Sequence, residues 1–231
     1  MLYMPKKYRQ LALFAALIAT CFGTTATLAA TKIGDVAAVV GAPSAFGTGG
    51  NRFLEKGSDV FEGDVVKVTE GNAQIILEDG TKLVVGPDST LELNQFLKRG
   101  KRVDKIALKA LHGTFRFISG KSPKKAYDIT TASATIGIRG TGFDFWVKEK
   151  TGVIVMIGAV QLRGNNGQLV SMTDNCDLGV AGEGEVAAEL LAGKAKSDTI
   201  RKNLVFIADQ RRLLKTFHLP ISKCRKFLQA N

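Results

Sequence analysis

The chain has 231 residues, 45% hydrophobic and 23% charged, with a formal net charge of +11. That length fits one folded domain with an appendage, and the apolar share excludes a disordered chain. Twenty-five glycines without a G-X-Y period, and only five prolines, exclude collagen-like and Pro-rich classes.

Lys6, Lys7 and Arg9 precede an uncharged apolar run at 11–23, followed by small residues up to Ala30. This is the layout of a secretory signal, and the run is short of the roughly 20 residues that cross a bilayer. Residues 1–29 are therefore expected to be a signal peptide, cleaved after Ala29 or Ala30. The mature protein is expected to be periplasmic or secreted. Cys21 leaves with the signal, so Cys176 and Cys224 remain as an even pair in an oxidising compartment. They are a candidate disulfide, with two buried thiols as the alternative.

From residue 59 the chain has a rhythm. Turn signals fall at Glu62-Gly63-Asp64, Glu70-Gly71-Asn72, Glu78-Asp79-Gly80 and Gly86-Pro87-Asp88. Between them lie short β-branched and aliphatic runs at 65–69, 73–77, 81–85 and 89–93. The pattern resumes at 106–110, 114–118, 126–130, 143–147, 153–157, 160–163 and 169–172. Strands this short must stack or close on one another. The expected class is all-β, a β-solenoid or β-helix-like body over 30–178, with a jelly roll or β-sandwich as the alternative.

Residues 179–231 read as a helical, basic tail. Residues 181–192 contain a helical run, and Ser197 fits the cap of a second helix over 198–217. On that helix Ile200, Leu204, Phe206, Ile207, Leu213, Leu214 and Phe217 share one side, and Pro220 ends it. Such a helix either covers the β body or lies on a membrane or partner.

Charge is uneven. Residues 30–193 are neutral, whereas 194–231 hold ten basic and two acidic residues. Within the body, 98–125 holds ten basic residues against Asp104. Stacking aromatics do not accompany these cations, and an exported protein rarely meets nucleic acid, so nucleic acid is excluded as a partner. Anionic membrane or lipopolysaccharide is the fitting counterpart of the basic tail.

Sites for chemistry are hard to find. Gly120-Lys121-Ser122 lacks the upstream Gly of a phosphate loop, Phe115 standing in its place. Residues 137–142 read GxxGxG rather than GxGxxG. Asp174, Gly179 and Glu185 fit a calcium loop, but Cys176 and Leu178 occupy two ligand positions. The two histidines, His112 and His218, complete no nucleophile–base–acid set. No catalytic residue, metal site or cofactor is expected, and the chain reads as a non-enzyme.

Three stretches taken in order resemble the FecR domain, named for the periplasmic part of the iron-dicitrate sensor. They are Leu54-x-x-Gly57-x-x-Val60-x-x-Gly63-Asp64-x-Val66-x-x-Thr69; Ala73-x-Ile75-x-x-x-Asp79-Gly80-Thr81-x-Leu83 with Gly86-Pro87-x-Ser89-x-Leu91; and Thr130-Thr131-x-Ser133-Ala134-x-x-Gly137-Ile138-Arg139-Gly140-Thr141-x-Phe143. The resemblance covers about 33–173. Ala132 stands where family members often carry Pro. About ten residues precede the apolar run, too few for the cytoplasmic anti-sigma segment of the signalling members.

The resemblance implies a β-rich periplasmic module that receives a signal through protein contacts. The expected function is therefore an exported, non-enzymatic interaction or sensing module in the bacterial cell envelope. Its partner would be an envelope protein. The alternative is a structural or adhesive envelope protein binding glycan or lipopolysaccharide. Candidate interaction residues are Arg139 and Thr141 in the third stretch and Arg211 and Arg212 in the tail. Arg139 has a structural alternative, tying carbonyls or a carboxylate such as Asp144.

Overall fold

A computed structural model describes residues 30–100, 102–182, 184 and 188–229. The expected signal peptide lies outside the described residues. The protein is mostly β, with short helices gathered at its C-terminal end.

Fifteen strands join in one open sheet. In chain order they are β1 (Lys32–Val40), β2 (Ser44–Phe46), β3 (Arg52–Phe53), β4 (Asp59–Phe61), β5 (Val65–Val68), β6 (Asn72–Leu77), β7 (Lys82–Val85), β8 (Ser89–Arg99), β9 (Arg102–Ile118), β10 (Tyr127–Thr130), β11 (Ala134–Val147), β12 (Lys150–Gly164), β13 (Leu169–Met172), β14 (Leu178–Gly182) and β15 (Glu189–Leu190). The turn signals at Gly63, Gly71 and Gly80 do separate short strands. Farther on, the short strands expected at 106–110 and 114–118 are two halves of the 17-residue β9. Likewise 153–157 and 160–163 both belong to β12.

The three long strands serve two pairings each. The 113–118 half of β9 sits between β7 and the 142–147 half of β11. Its 106–109 part pairs instead with β8 and, in parallel, with β10. The 150–154 end of β12 meets β14, and its 160–163 end meets β13.

Side chains show how each long strand keeps one side on the core. In β9, Leu108 and Ala110 point inward, and then Phe115 and Phe117 do. In β11 the inward set changes from Ile136 and Ile138 to Phe143 and Phe145. In β12 it changes from Val153 and Val155 to Val160 and Leu162. Alternation has period two, so each strand must gain an odd residue to change parity. The extra residue sits at a bend, and Gly113, Gly140 and Gly158 lie there with φ of 109°, 64° and 75°. A β-bulge is marked between Arg139 and Gly142. The glycines of the third motif thus make the bend of β11.

At Gly158 the backbones also approach closely. A Cβ there would lie 2.2 Å from the Gly140 carbonyl oxygen. Gly158→Ala is expected to destabilise the fold by about 2–4 kcal/mol, from left-handed strain plus a backbone clash. Chemical denaturation measures this, and an unchanged midpoint would refute the bend assignment.

Both halves of the sheet contribute to one large core that includes Val66, Ile75, Leu91, Ile106, Phe117 and Phe143. Phe115, Phe117, Phe143 and Phe145 stack or tilt against one another with centroids 4.9–5.7 Å apart. Intervening residues face the other way. Gln74, Val84, Arg116, Asp144, Ile154 and Leu178 therefore line the outer face of the β6–β7–β9–β11–β12–β14 part.

The tail covers that outer face. It consists of α1 (Gly193–Asn203), α2 (Val205–Ala208), 3-10 turns at Gln210–Arg212 and Lys215–Phe217, and α3 (Ser222–Gln229). The single helix expected over 198–217 is thus broken. Leu204 and Asp209 have non-helical backbone angles at the breaks. Beyond the breaks, side chains capture the backbone: the Leu214 N–H donates to Gln74 Oε1 at 2.8 Å and the Leu219 N–H to Gln210 Oε1 at 3.1 Å. Ser197 is an interior residue of α1, its hydroxyl donating to the Gly193 carbonyl. The helix expected at 181–192 is replaced, among the described residues, by the end of β14 and by β15. Its Val180 and Ala181 serve two opposite sides of the sheet, as a strand requires.

Ile200, Leu204, Phe206, Ile207, Leu213 and Phe217 are buried as their shared side suggests, but Leu214 is 43% exposed. They pack on Trp146, Ile154, Met156, Leu178 and Val84.

Candidate functional site

The most elaborate polar arrangement is buried between sheet and tail. Arg116 on β9 and Asp144 on β11 are opposite one another in register. Both side chains are fully buried. Arg116 Nε donates to Asp144 Oδ1 at 2.6 Å and Nη2 to Oδ2 at 2.8 Å, a bidentate pair. Nη1 donates outward to the tail, to Gln210 Oε1 at 2.9 Å and to the Phe217 carbonyl at 3.1 Å. The Phe206 ring covers the guanidinium with its centroid 5.5 Å away. Burial pushes the Asp144 carboxyl up, against the pull of Arg116. This cluster fastens the tail. It also corrects the expectation that Arg139 could tie Asp144, because Arg116 occupies the carboxylate.

The candidate interaction residues fall in different places. Arg139 is exposed at the β11 bend, with no partner among the described residues. Lys124 adjoins it, lying about 3.5 Å from where a Gly140 Cβ would be. Thr141 is buried, so it offers no accessible hydroxyl. Its Oγ1 has no partner among the described residues, and its N–H donates to Ser119 Oγ at 3.0 Å. Arg211 and Arg212 are exposed on the tail and share Asp209 at 3.1 and 3.4 Å. Hydrogen bonding to Arg211 holds the Asp209 carboxyl below its ordinary range. No contact joins Arg139 to these two arginines. Cys176 and Cys224 are joined, with Cα atoms 5.3 Å apart, and this bond ties α3 to the loop before β14.

Other motif residues are occupied structurally. Asp79 Oδ1 accepts the Thr81 N–H at 2.9 Å, while Oδ2 accepts the Thr81 and Tyr127 hydroxyls at 2.9 and 2.8 Å. The Gly120 N–H donates to the Tyr127 hydroxyl oxygen. Burial raises the Tyr127 phenol. The Asp-Gly-Thr turn is therefore a knot between β6, β7 and β10. Thr131, Ser133 and Thr151 form a hydroxyl cluster at 2.6–2.7 Å.

Besides Arg116, five of the ten cations in the basic run 98–125 meet a carboxylate. Lys98 meets Glu78 at 2.5 Å, Arg99 and Arg102 share Asp104, Lys105 meets Asp128 and Lys109 meets Glu92. Apart from Asp104, those carboxylates sit on neighbouring strands or turns, which a linear charge count does not reveal. His112 faces the Asp88 carbonyl and His218 the Leu213 carbonyl, both at 3.0 Å.

A cleft of about 430 Å³ lies between α1 and the β11–β12 turn and is lined by Trp146, Lys148, Lys150, Asp198 and Lys202 among others. A second, about 290 Å³, lies between the Gly71 turn and the Val205–Leu213 stretch. Neither brings a nucleophile to a base. Among the described residues no group of three His, Cys, Asp or Glu could hold a metal ion.

Residues 64–161 match the family model described as FecR protein. The match runs from the start of β5 into β12 and takes in the second and third motif stretches. No curated protein matches. Two solved structures from Parabacteroides distasonis ATCC 8503 are similar, each described provisionally as an anti-sigma factor. One is 15% identical with a TM-score of 0.45, covering 60% of this chain and 64% of its own. The other is 16% identical with a TM-score of 0.45, covering 64% and 74%.

Proposed function

We propose that this protein is an exported FecR-domain module of the bacterial cell envelope. It works by protein contact, in sensing, and catalyses no reaction. The carrying observation is where the family match lies. It falls on strands whose second face is open. Val65, Glu92, Lys109, Thr130, Thr135 and Arg163 stand in one cross-strand row on that face. None of the six is buried. The tail covers the opposite part of the sheet, which leaves this row and the Arg139 bend as the broad strand surface for a partner. Three long strands passing between two pairings favour a sandwich-like body over stacked coils.

A photo-crosslinking side chain placed at Thr135, Arg139 or Gln161 is expected to capture one discrete envelope protein in cells. The same probe at Lys223 is expected not to. Capture of lipopolysaccharide alone, or equal capture from Lys223, overturns the reading. Mass spectrometry of the periplasmic fraction should find a mature chain beginning at Ala30 or Thr31; a chain retaining residues 1–29 in the cytoplasm would refute export.

A further inference from the structure

The apolar side of the tail faces the protein. Ile200, Leu204, Phe217 and Ile221 are buried there. Its cations therefore point outward, and Lys194, Lys202, Lys223, Arg225 and Lys226 are all exposed. Helices α1 and α3, which carry them, pack against each other.

Where these helices meet, two like charges share one ring. Lys196 Nζ lies 4.7 Å and Lys226 Nζ 5.1 Å from the Phe227 centroid. Burial and Lys226 both lower the Lys196 ammonium, and Asp177 acts the other way. Asp177 lies in the loop before β14, and Asp198, the carboxylate on the two helices themselves, is held by Arg201. Phe227 and Leu228 are half-buried beside these ammoniums. An aromatic ring and a leucine flanked by lysines match the boundary between lipid headgroups and acyl chains.

We propose that the α1–α3 face docks the protein on an anionic phospholipid bilayer. Headgroup phosphates would meet the outward cations and relieve the repulsion between Lys196 and Lys226. The attachment is peripheral. The buried apolar side is not free to enter the bilayer, and among the described residues no helix is long and apolar enough to cross one. A broad cationic face with few carboxylates fits a headgroup layer better than a shaped protein surface. Each cation near such a surface contributes about 1 kcal/mol, roughly fivefold in affinity.

The test is sedimentation of the full mature protein with vesicles. Binding is expected with a phosphatidylcholine–phosphatidylglycerol mixture and not with phosphatidylcholine alone. It should vanish near 1 M salt, where the Debye length falls to about 3 Å. Lys223→Gln/Arg225→Gln/Lys226→Gln should bind about a hundredfold more weakly while unfolding at the same denaturant concentration. Lys105→Gln/Lys109→Gln, on the open strand face, should bind as the parent does. Equal binding to both vesicle types, binding that survives salt, or an equal loss in the Lys105/Lys109 variant overturns the proposal. So does binding to lipopolysaccharide vesicles alone. Crosslinking from Thr135 or Gln161 reads the other face, so the two proposals fail separately.

Discussion

Asp144→Ala is expected to cost about 3–5 kcal/mol and to loosen the tail from the sheet. The substitution leaves the Arg116 guanidinium fully buried with its countercharge gone, which is the expensive way to break such a pair. Arg116 also holds Gln210 and the Phe217 carbonyl, so its position sets the path of the tail. Denaturant unfolding should show the loss. Hydrogen exchange should show faster opening across 206–219. The double variant Arg116→Met/Asp144→Leu is expected to lose less than Asp144→Ala, because no charge is then left buried. Gln210 and the Phe217 carbonyl still lose a donor, so the double variant should remain below the parent. An Asp144→Ala protein within about 1 kcal/mol of the parent would refute the fastening role assigned to this pair.

The tail illustrates what was legible in the sequence. The shared side of Ile200, Leu204, Phe206, Ile207, Leu213 and Phe217 is visible in the chain and is buried in the fold. The breaks at Leu204 and Asp209 are not visible there. Nor is the path after Asp209, where Gln74 and Arg116, well over a hundred residues earlier for Gln74, reach Leu214 and Gln210 through space. Ser197 misled for a related reason: a serine can bond back to a carbonyl four residues earlier inside a helix as well as cap one.

The β body shows the same division. Turns at Gly63, Gly71 and Gly80 separate the early strands because their Gly, Asn and Asp neighbours mark left-handed backbone locally. Gly113, between His112 and Thr114, and Gly158, between Ile157 and Ala159, lack such neighbours, and they bend continuing strands. The buried Arg116 was hidden among nine other basic residues, and only the register with Asp144 sets it apart. Arg139, which the motif makes prominent, is the exposed one.

Cys176→Ser/Cys224→Ser is expected to cost about 3–4 kcal/mol, since the bond closes a separation of 48 residues and removes that freedom from the unfolded chain. The loss should concentrate at α3. Cys224 lies in the first turn of that eight-residue helix, and a helix so short has little stability of its own. Its remaining anchors are Ile221 and the half-buried Phe227 and Leu228. Hydrogen exchange should therefore reach 222–229 first, before 206–219, which Arg116 and Gln74 still hold. Simultaneous opening of both segments would mean that the tail unfolds as one unit and that the bond is no separate anchor. The same chemistry bears on compartment. Disulfides persist in oxidising surroundings and are kept reduced in the cytosol. A chain lacking residues 1–29 and retained in the cytoplasm should carry two free thiols and unfold at the denaturant midpoint of the double serine variant. A chain that forms the bond and keeps full stability there would show that the fold does not depend on export.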